Sequence, residues 1–124
     1  MLTYVAIALI VFGAYFYLKS RGQKQQFNLA DIKKDLDRGA ILLDVRTARE
    51  FNSGHAKGAK NVSLQTLQAG ALPTKDTTKT VYVYCHSGAR ASSASSILKQ
   101  AGFQSVVNIG SLGKWRKLGG AVTH

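Results

Sequence analysis

The sequence predicts an α/β domain on a parallel sheet, preceded by one transmembrane helix. Three observations lead there. Short apolar runs of strand length, Ile41–Val45 (ILLDV) and Val81–Tyr84 (VYVY), alternate with stretches of helical spacing. The second run ends at the only cysteine, Cys85, and a small-residue helix pattern opens at about Ala91. Ahead of all this, Leu2–Leu18 carries no charged residue.

That first run, LTYVAIALIVFGAYFYL, would be about 25 Å long as a helix at ~1.5 Å per residue, the short end of a membrane span. Tyr4, Tyr15 and Tyr17 lie near its ends, where interfacial aromatics are expected. No Lys or Arg precedes it and bulky residues close it, which argues against a cleaved signal peptide. It is apolar all round, which argues against a core helix packed on one side. The predicted organisation is an anchor over residues 1–18, a basic tether over 19–26 and a domain over 27–124. Lys19, Arg21 and Lys24 follow the run, so the positive-inside rule puts the domain in the cytoplasm. The expectation is a single-pass protein of the inner (cytoplasmic) membrane, with the lipid bilayer as a partner and a thiol kept reduced.

The 124 residues suit one domain. A single cysteine excludes an intrachain disulfide framework. No Cys-x-x-Cys or paired-His spacing occurs, so neither a metal site nor another cofactor is expected. The net charge of +11 calls for an anionic partner. Its basic residues are spread along the chain, with small groups at Lys19–Lys24 and Lys114–Lys117, and no nucleic-acid-binding motif accompanies them. The reading is a membrane surface and an anionic substrate, not nucleic acid.

Asn28 is the expected N-cap of a helix bearing Leu29, Ile32 and Leu36 on one face, with Asp31 at the capping-box offset and Gly39 as the stop. The strand Ile41–Val45 follows. Asp44, Arg46, Arg49 and Glu50 then form a dense charge group. It reads either as a solvated turn and helix start or as a buried ion-pair network behind a site, because acids at strand ends of parallel sheets face the ligand edge. Leu64–Leu72 is a short helix ended by Pro73, and Lys75–Lys79 is a polar turn. Ala91–Ala101 is an Ala/Ser helix stopped by Gly102, and Phe103–Ile109 is another strand. Trp115, in the glycine-rich closing segment, reads as core or interface.

The chemistry concentrates at Cys85, His86, Ser87, Gly88, Ala89 and Arg90. A cysteine at the tip of a strand, followed by a short loop and a helix N-terminus, meets converging backbone N–H groups and the positive end of the helix dipole. Such a cradle stabilises a thiolate, the reactive form of cysteine. Gly88 permits backbone angles barred to other residues. The competing reading is a small buried hydrophobe at a strand end.

Several stretches together resemble the rhodanese-like sulfurtransferase domains. LLDVRTAREFNSGHAKGAKNV (Leu42–Val62) resembles their front motif, YCHSGARA their Cys-x-x-Gly-x-Arg loop, and GFQSVVNIGSLGKW their closing segment. The resemblance spans about Phe27–Val122. It implies a three-layer α/β domain with a five-stranded parallel sheet. It implies that Cys85 takes a sulfane sulfur from a small anion such as thiosulfate, holds it as a persulfide and yields it to cyanide or a thiol. Gly88 and Arg90 match the loop residues, and Asp44, Arg46, Glu50 and His55 match the supporting front motif. Ala91, Ser111 and Ala56 depart from the pattern, standing where Ser, Gly and a bulkier aliphatic residue are common.

Two other functions fit parts of the sequence. One is a non-enzymatic, membrane-tethered module that binds a protein partner; the intact Cys85, Gly88 and Arg90 count against it. The other is a cysteine phosphatase or arsenate reductase. Those resemble this arrangement with five residues between cysteine and arginine, whereas four separate Cys85 from Arg90.

Overall fold

The computed structural model describes residues 2–21 and 28–124, with side chains at 2–18 and 28–124. Of the expected tether, residues 19–21 continue the N-terminal helix, and residues 22–26 with the domain start at Phe27 lie outside the described residues. Helix α1 spans Leu2–Arg21, and its described side chains are all exposed. Among the described residues no helix is long and apolar enough to cross a membrane, which corrects the expected transmembrane anchor. The uncharged run reaches only about 25 Å as a helix, and a bilayer's hydrocarbon core is about 30 Å thick.

Helix α2 (Leu29–Asp37) begins as expected, with Asn28 Oδ1 accepting from the Ala30 N–H at 2.9 Å. Asp31 does not close a capping box there. The box lies instead at α3 (Ala48–Asn52), where Thr47 Oγ1 accepts from the Glu50 N–H and Glu50 Oε1 accepts from the Thr47 N–H. Helix α4 covers Leu64–Gln68, shorter than expected, because Gly70 at φ +104 turns the chain before Pro73. Helix α5 covers Ala89–Gln100 and α6 covers Leu112–Lys117.

Strands β1 (Ile41–Asp44), β3 (Lys60–Asn61), β4 (Val81–Cys85) and β5 (Val106–Ser111) form a parallel sheet in the order β3-β1-β4-β5. Among the described residues it has four strands, not the five that the resemblance implied. The remaining pair, β2 (His55–Ala56) and β6 (Val122–Thr123), stands apart as an antiparallel ribbon of two residues each. Strand β5 starts at Val106 because the Phe103 N–H closes the end of α5 on the Leu98 carbonyl at 3.1 Å.

Central parallel strands bury both faces, so β1 and β4 are apolar without alternation. Ile41, Leu43, Val81, Val83 and Cys85 face one cluster with Leu67 of α4 and Ala91, Ala94 and Leu98 of α5. Leu42, Tyr82, Tyr84 and Ile109 face the other with Ile32 of α2 and Leu112 and Trp115 of α6. Three layers result, and each large side chain so buried contributes roughly 1.5–3 kcal/mol. Trp115 is therefore core, with its indole N–H donating to the Ala121 carbonyl at 2.9 Å.

Candidate active site

The strand order places the site. The chain runs from β1 out to β3, then back across β1 to β4 and on to β5. The direction reverses between β1 and β4, and ligands of parallel sheets bind outside the strand ends at such a point. Asp44 and Cys85 end those two strands.

Cys85 is fully buried in the layer beneath α5. Its Sγ accepts from the Gly88 N–H at 2.9 Å, and its S–H is directed at the Gly110 carbonyl at 3.7 Å. Gly88 is the N-cap of α5 at φ +106, a left-handed conformation that glycine adopts without strain. Gly110 is delivered by a bulge. Val83 pairs with Asn108 and Tyr84 with Gly110, so Ile109 is the extra residue, and Gly110 sits at φ +97. Among the described residues one loop N–H, that of Gly88, reaches the sulfur. His86, Ser87 and Ala89 form the exposed tip of the loop.

Arg90, in the first turn of α5, donates from Nη1 to Glu50 Oε1 at 2.6 Å and from Nη2 to Glu50 Oε2 at 2.9 Å. The hydrogen bonds from Arg90 hold the Glu50 pKa down at about 2, with burial opposing and the Thr47 hydrogen bonds adding to the effect. The Arg90 pKa is raised, first by the hydrogen bonds to Glu50, against burial, and further by the charges of Glu50 and of a Cys85 thiolate.

Asp44 and Arg46 form a separate, buried pair. Arg46 Nη2 donates to Asp44 Oδ2 at 2.7 Å and to the Gly54 carbonyl at 2.6 Å. Burial alone would lower the Arg46 pKa, but the hydrogen bonds and charge of Asp44 outweigh it and raise it. Tyr84 OH donates to Asp44 Oδ2 at 2.6 Å and accepts from the Ala56 N–H at 3.0 Å. Tyr84 and Cys85 belong to opposite faces of the sheet, so this network frames the strand ends rather than touching the thiol. The charge group thus divides: Asp44–Arg46 is a buried network, Glu50–Arg90 is a half-exposed tie to the loop, and Arg49 is solvated. Among the described residues no three metal-ligating side chains stand together.

The family model described as Rhodanese-like domain matches residues 28–118. The chain belongs to the rhodanese-like family. YqhL of Bacillus subtilis (strain 168), an uncharacterized protein, is 31% identical over 121 residues, 94% of each chain. Thiosulfate sulfurtransferase 16, chloroplastic, of Arabidopsis thaliana is 35% identical over 65% of this chain and 78% of its own. The X-ray structure of the rhodanese-like domain of Alr3790 from Anabaena sp. is 26% identical, with a TM-score of 0.62 over 88% of this chain and 93% of that one. A rhodanese with anions from E. coli is 33% identical, with a TM-score of 0.53 over 61% and 91%.

In this rhodanese-like domain His55 packs on α3 and pairs with β6. Its Nδ1 is 2.9 Å from the Phe51 carbonyl, its ring stacks on Phe51 at 3.7 Å, and its backbone pairs with Thr123. The departures from the family pattern have local roles. Ser111 Oγ caps α6 by accepting from the Lys114 N–H at 3.0 Å, Ala91 is buried beside Cys85, and Ala56 is buried against Tyr84. Three site residues have no counterpart in the sequence reading: Tyr84, Thr47 and Gly110. Only Thr47 carries a local signal, as the start of the Thr-x-x-Glu box with Glu50.

Proposed function

We propose that this domain is a sulfurtransferase that carries a sulfane sulfur as a persulfide on Cys85. The Cys85 thiolate attacks the outer sulfur of a thiosulfate-type donor; a new S–S bond forms, and sulfite leaves with the electron pair of the broken one. Cyanide or a thiolate then attacks the outer sulfur, and Cys85 leaves as thiolate. Splitting the transfer in this way makes two displacements at an activated nucleophile.

The observation that carries this reading is the Gly88 N–H on Cys85 Sγ at 2.9 Å, at the N-terminus of α5. That N–H and the helix dipole favour negative charge on the sulfur. Arg90 has a positioning role, fixing the far end of the loop through Glu50. Asp44, Arg46 and His55 support the frame. The likeness to Thiosulfate sulfurtransferase 16 and to the anion-containing E. coli rhodanese supports an anionic sulfur donor. The full chain supplied with thiosulfate and cyanide is expected to form thiocyanate, and Cys85→Ser is expected to form none. A folded wild type without thiocyanate formation contradicts the reading.

One observation favours a second reading, a non-enzymatic module that binds a protein partner: the thiol is fully buried. A small alkylating reagent separates the two. Native-state labelling of Cys85 by iodoacetamide fits the enzyme, and labelling only after unfolding fits the module.

The proposal extends to location. Exposed and uncharged over residues 2–18, α1 supports attachment to lipid, and Lys19, Arg21 and Lys24 after that run suit the anionic cytoplasmic face of the inner membrane. The full chain is expected to float with lipid vesicles, and the double variant Ile7→Lys, Ile10→Lys to stay behind. Equal flotation of both contradicts attachment through α1.

A further inference from the structure

Helix α6 buries Leu112 and Trp115 and exposes Lys114, Arg116 and Lys117. We propose that this basic face rests on an anionic lipid surface and turns the domain so that the layer of α2 and α6 faces the bilayer. The inference rests on the reading of lipid attachment through α1 and adds a second contact, electrostatic in kind, made by the domain itself.

Three observations carry it. The first is segregation of charge. No Asp or Glu follows Asp76 in the sequence, so α6 and the segments on either side of it carry no acid. Lys114 and Lys117 are one helical turn apart, on the side of α6 turned away from Leu112 and Trp115. Among the described residues no acid forms an ion pair with Arg116 or Lys117. Helix α2, in the same layer, carries charges of both signs, so the positive excess lies on α6.

The second is position. A Cβ at Gly119 would lie 3.4 Å from Leu29 Cδ2, so the end of α6 adjoins the first residue of α2, where the chain enters the domain. Leu29 and Leu118 pack on the same apolar cluster. Residues 22–27 separate α1 from Asn28, and a chain of that length keeps Arg21 within roughly 25 Å of Asn28 at ~3.6 Å per residue. A lipid-bound α1 therefore holds α6 close to the headgroups.

The third is the limit of α1 itself. Its uncharged run is short, and among the described residues no helix is long and apolar enough to cross a membrane. A hydrophobic anchor of limited strength binds reversibly, and a basic patch beside it supplies the second signal that makes attachment stable. Each basic residue near an anionic surface strengthens binding by about fivefold. Cys85 packs in the layer of α5, on the other face of the sheet from α6, so this contact leaves the α5 layer turned away from lipid.

The test titrates the full chain with vesicles of phosphatidylcholine alone and of phosphatidylcholine mixed with phosphatidylglycerol. Arg116→Gln with Lys117→Gln is expected to weaken binding to the mixed vesicles by about 25-fold and to leave binding to phosphatidylcholine unchanged. The difference should vanish at ~1 M salt, where the screening length is about 3 Å. Lys75→Gln with Lys79→Gln removes the same charge from the exposed turn ahead of β4, at the other end of the sheet, and is expected to have little effect. Thiocyanate formation without vesicles should be equal in all three proteins, which shows that the variants fold. Equal losses in the two variants mean that net charge alone acts, and overturn the proposal. So does an unchanged affinity in the α6 variant, or a loss seen on duplex DNA and not on vesicles. Wild type that holds to phosphatidylcholine while the α6 variant matches it on mixed vesicles leaves attachment through α1 standing without this contact; wild type that binds neither vesicle removes both.

Discussion

Arg90 and Glu50 meet through two hydrogen bonds, at 2.6 and 2.9 Å, and join the end of the Cys85 loop to α3 across 40 residues of sequence. A planar guanidinium on a carboxylate fixes orientation as well as distance. Glu50 is itself held by the Thr47 capping box, so the loop is braced on a short helix whose first turn is already closed. The tie is an acid-sensitive one. The Glu50 pKa is depressed from 4.5 to about 2 by the hydrogen bonds from Arg90. A carboxylate with a depressed folded pKa contributes stability above its unfolded pKa and loses it as pH falls through the folded one. Wild-type stability is therefore expected to lose a component between pH 4.5 and 2 that Glu50→Gln lacks. Urea denaturation across that window checks this; equal pH dependence in both proteins contradicts it.

Gly88→Ala is expected to leave the fold intact and impair the cradle. An L-residue at φ +106 costs about 1–2 kcal/mol, and relaxing it moves the N–H from Cys85 Sγ. Sulfur uptake from thiosulfate should slow by about tenfold or more. Rapid-mixing kinetics at the wild-type rate would show that the N–H is not needed.

Tyr84→Phe tests the frame on the far face of the sheet. The hydroxyl bridges Asp44 Oδ2 and the Ala56 N–H, both buried, and its loss leaves the Ala56 donor without its partner. A loss of about 1–3 kcal/mol in unfolding free energy is expected. An unchanged denaturation midpoint would mean that water replaces the hydroxyl there.

Gly120→Ala is expected to destabilise the domain by about 1–3 kcal/mol through overpacking. A Cβ at Gly120 would lie 2.2 Å from Trp115 Cε2, inside the ring's own volume. A variant with the wild-type midpoint would show that Trp115 can shift without loss.

The parts of this molecule that could be read from sequence are those whose causes are local. Strands β1 and β4 are buried on both faces, so they stand out as unbroken apolar runs. The loop is legible because Cys85, Gly88 and Arg90 lie within one short segment. Strands β2 and β6 are two residues long and exist only through pairing with each other, which no local pattern records. Tyr82 and Tyr84 look alike in VYVY, yet one donates to Asp35 and the other to Asp44; the fold alone separates them. The charges of Asp44, Arg46, Arg49 and Glu50 sit close in sequence, but the packing of α5 on the sheet brings Arg90 to Glu50, while Asp44 and Arg46 pair with each other. The shortfall of α1 as a membrane span lies in its uncharged run, Leu2–Leu18, which stands at the lower limit of span length.

The most direct test of the account is the mass of the intact protein after thiosulfate treatment under non-reducing conditions. Wild type is expected to gain about 32 Da, one sulfur atom on the activated cysteine, and to lose it on adding cyanide. Cys85→Ser is expected to gain nothing. A folded wild type that stays at its unmodified mass, or an adduct that persists in Cys85→Ser, would contradict sulfur transfer through Cys85.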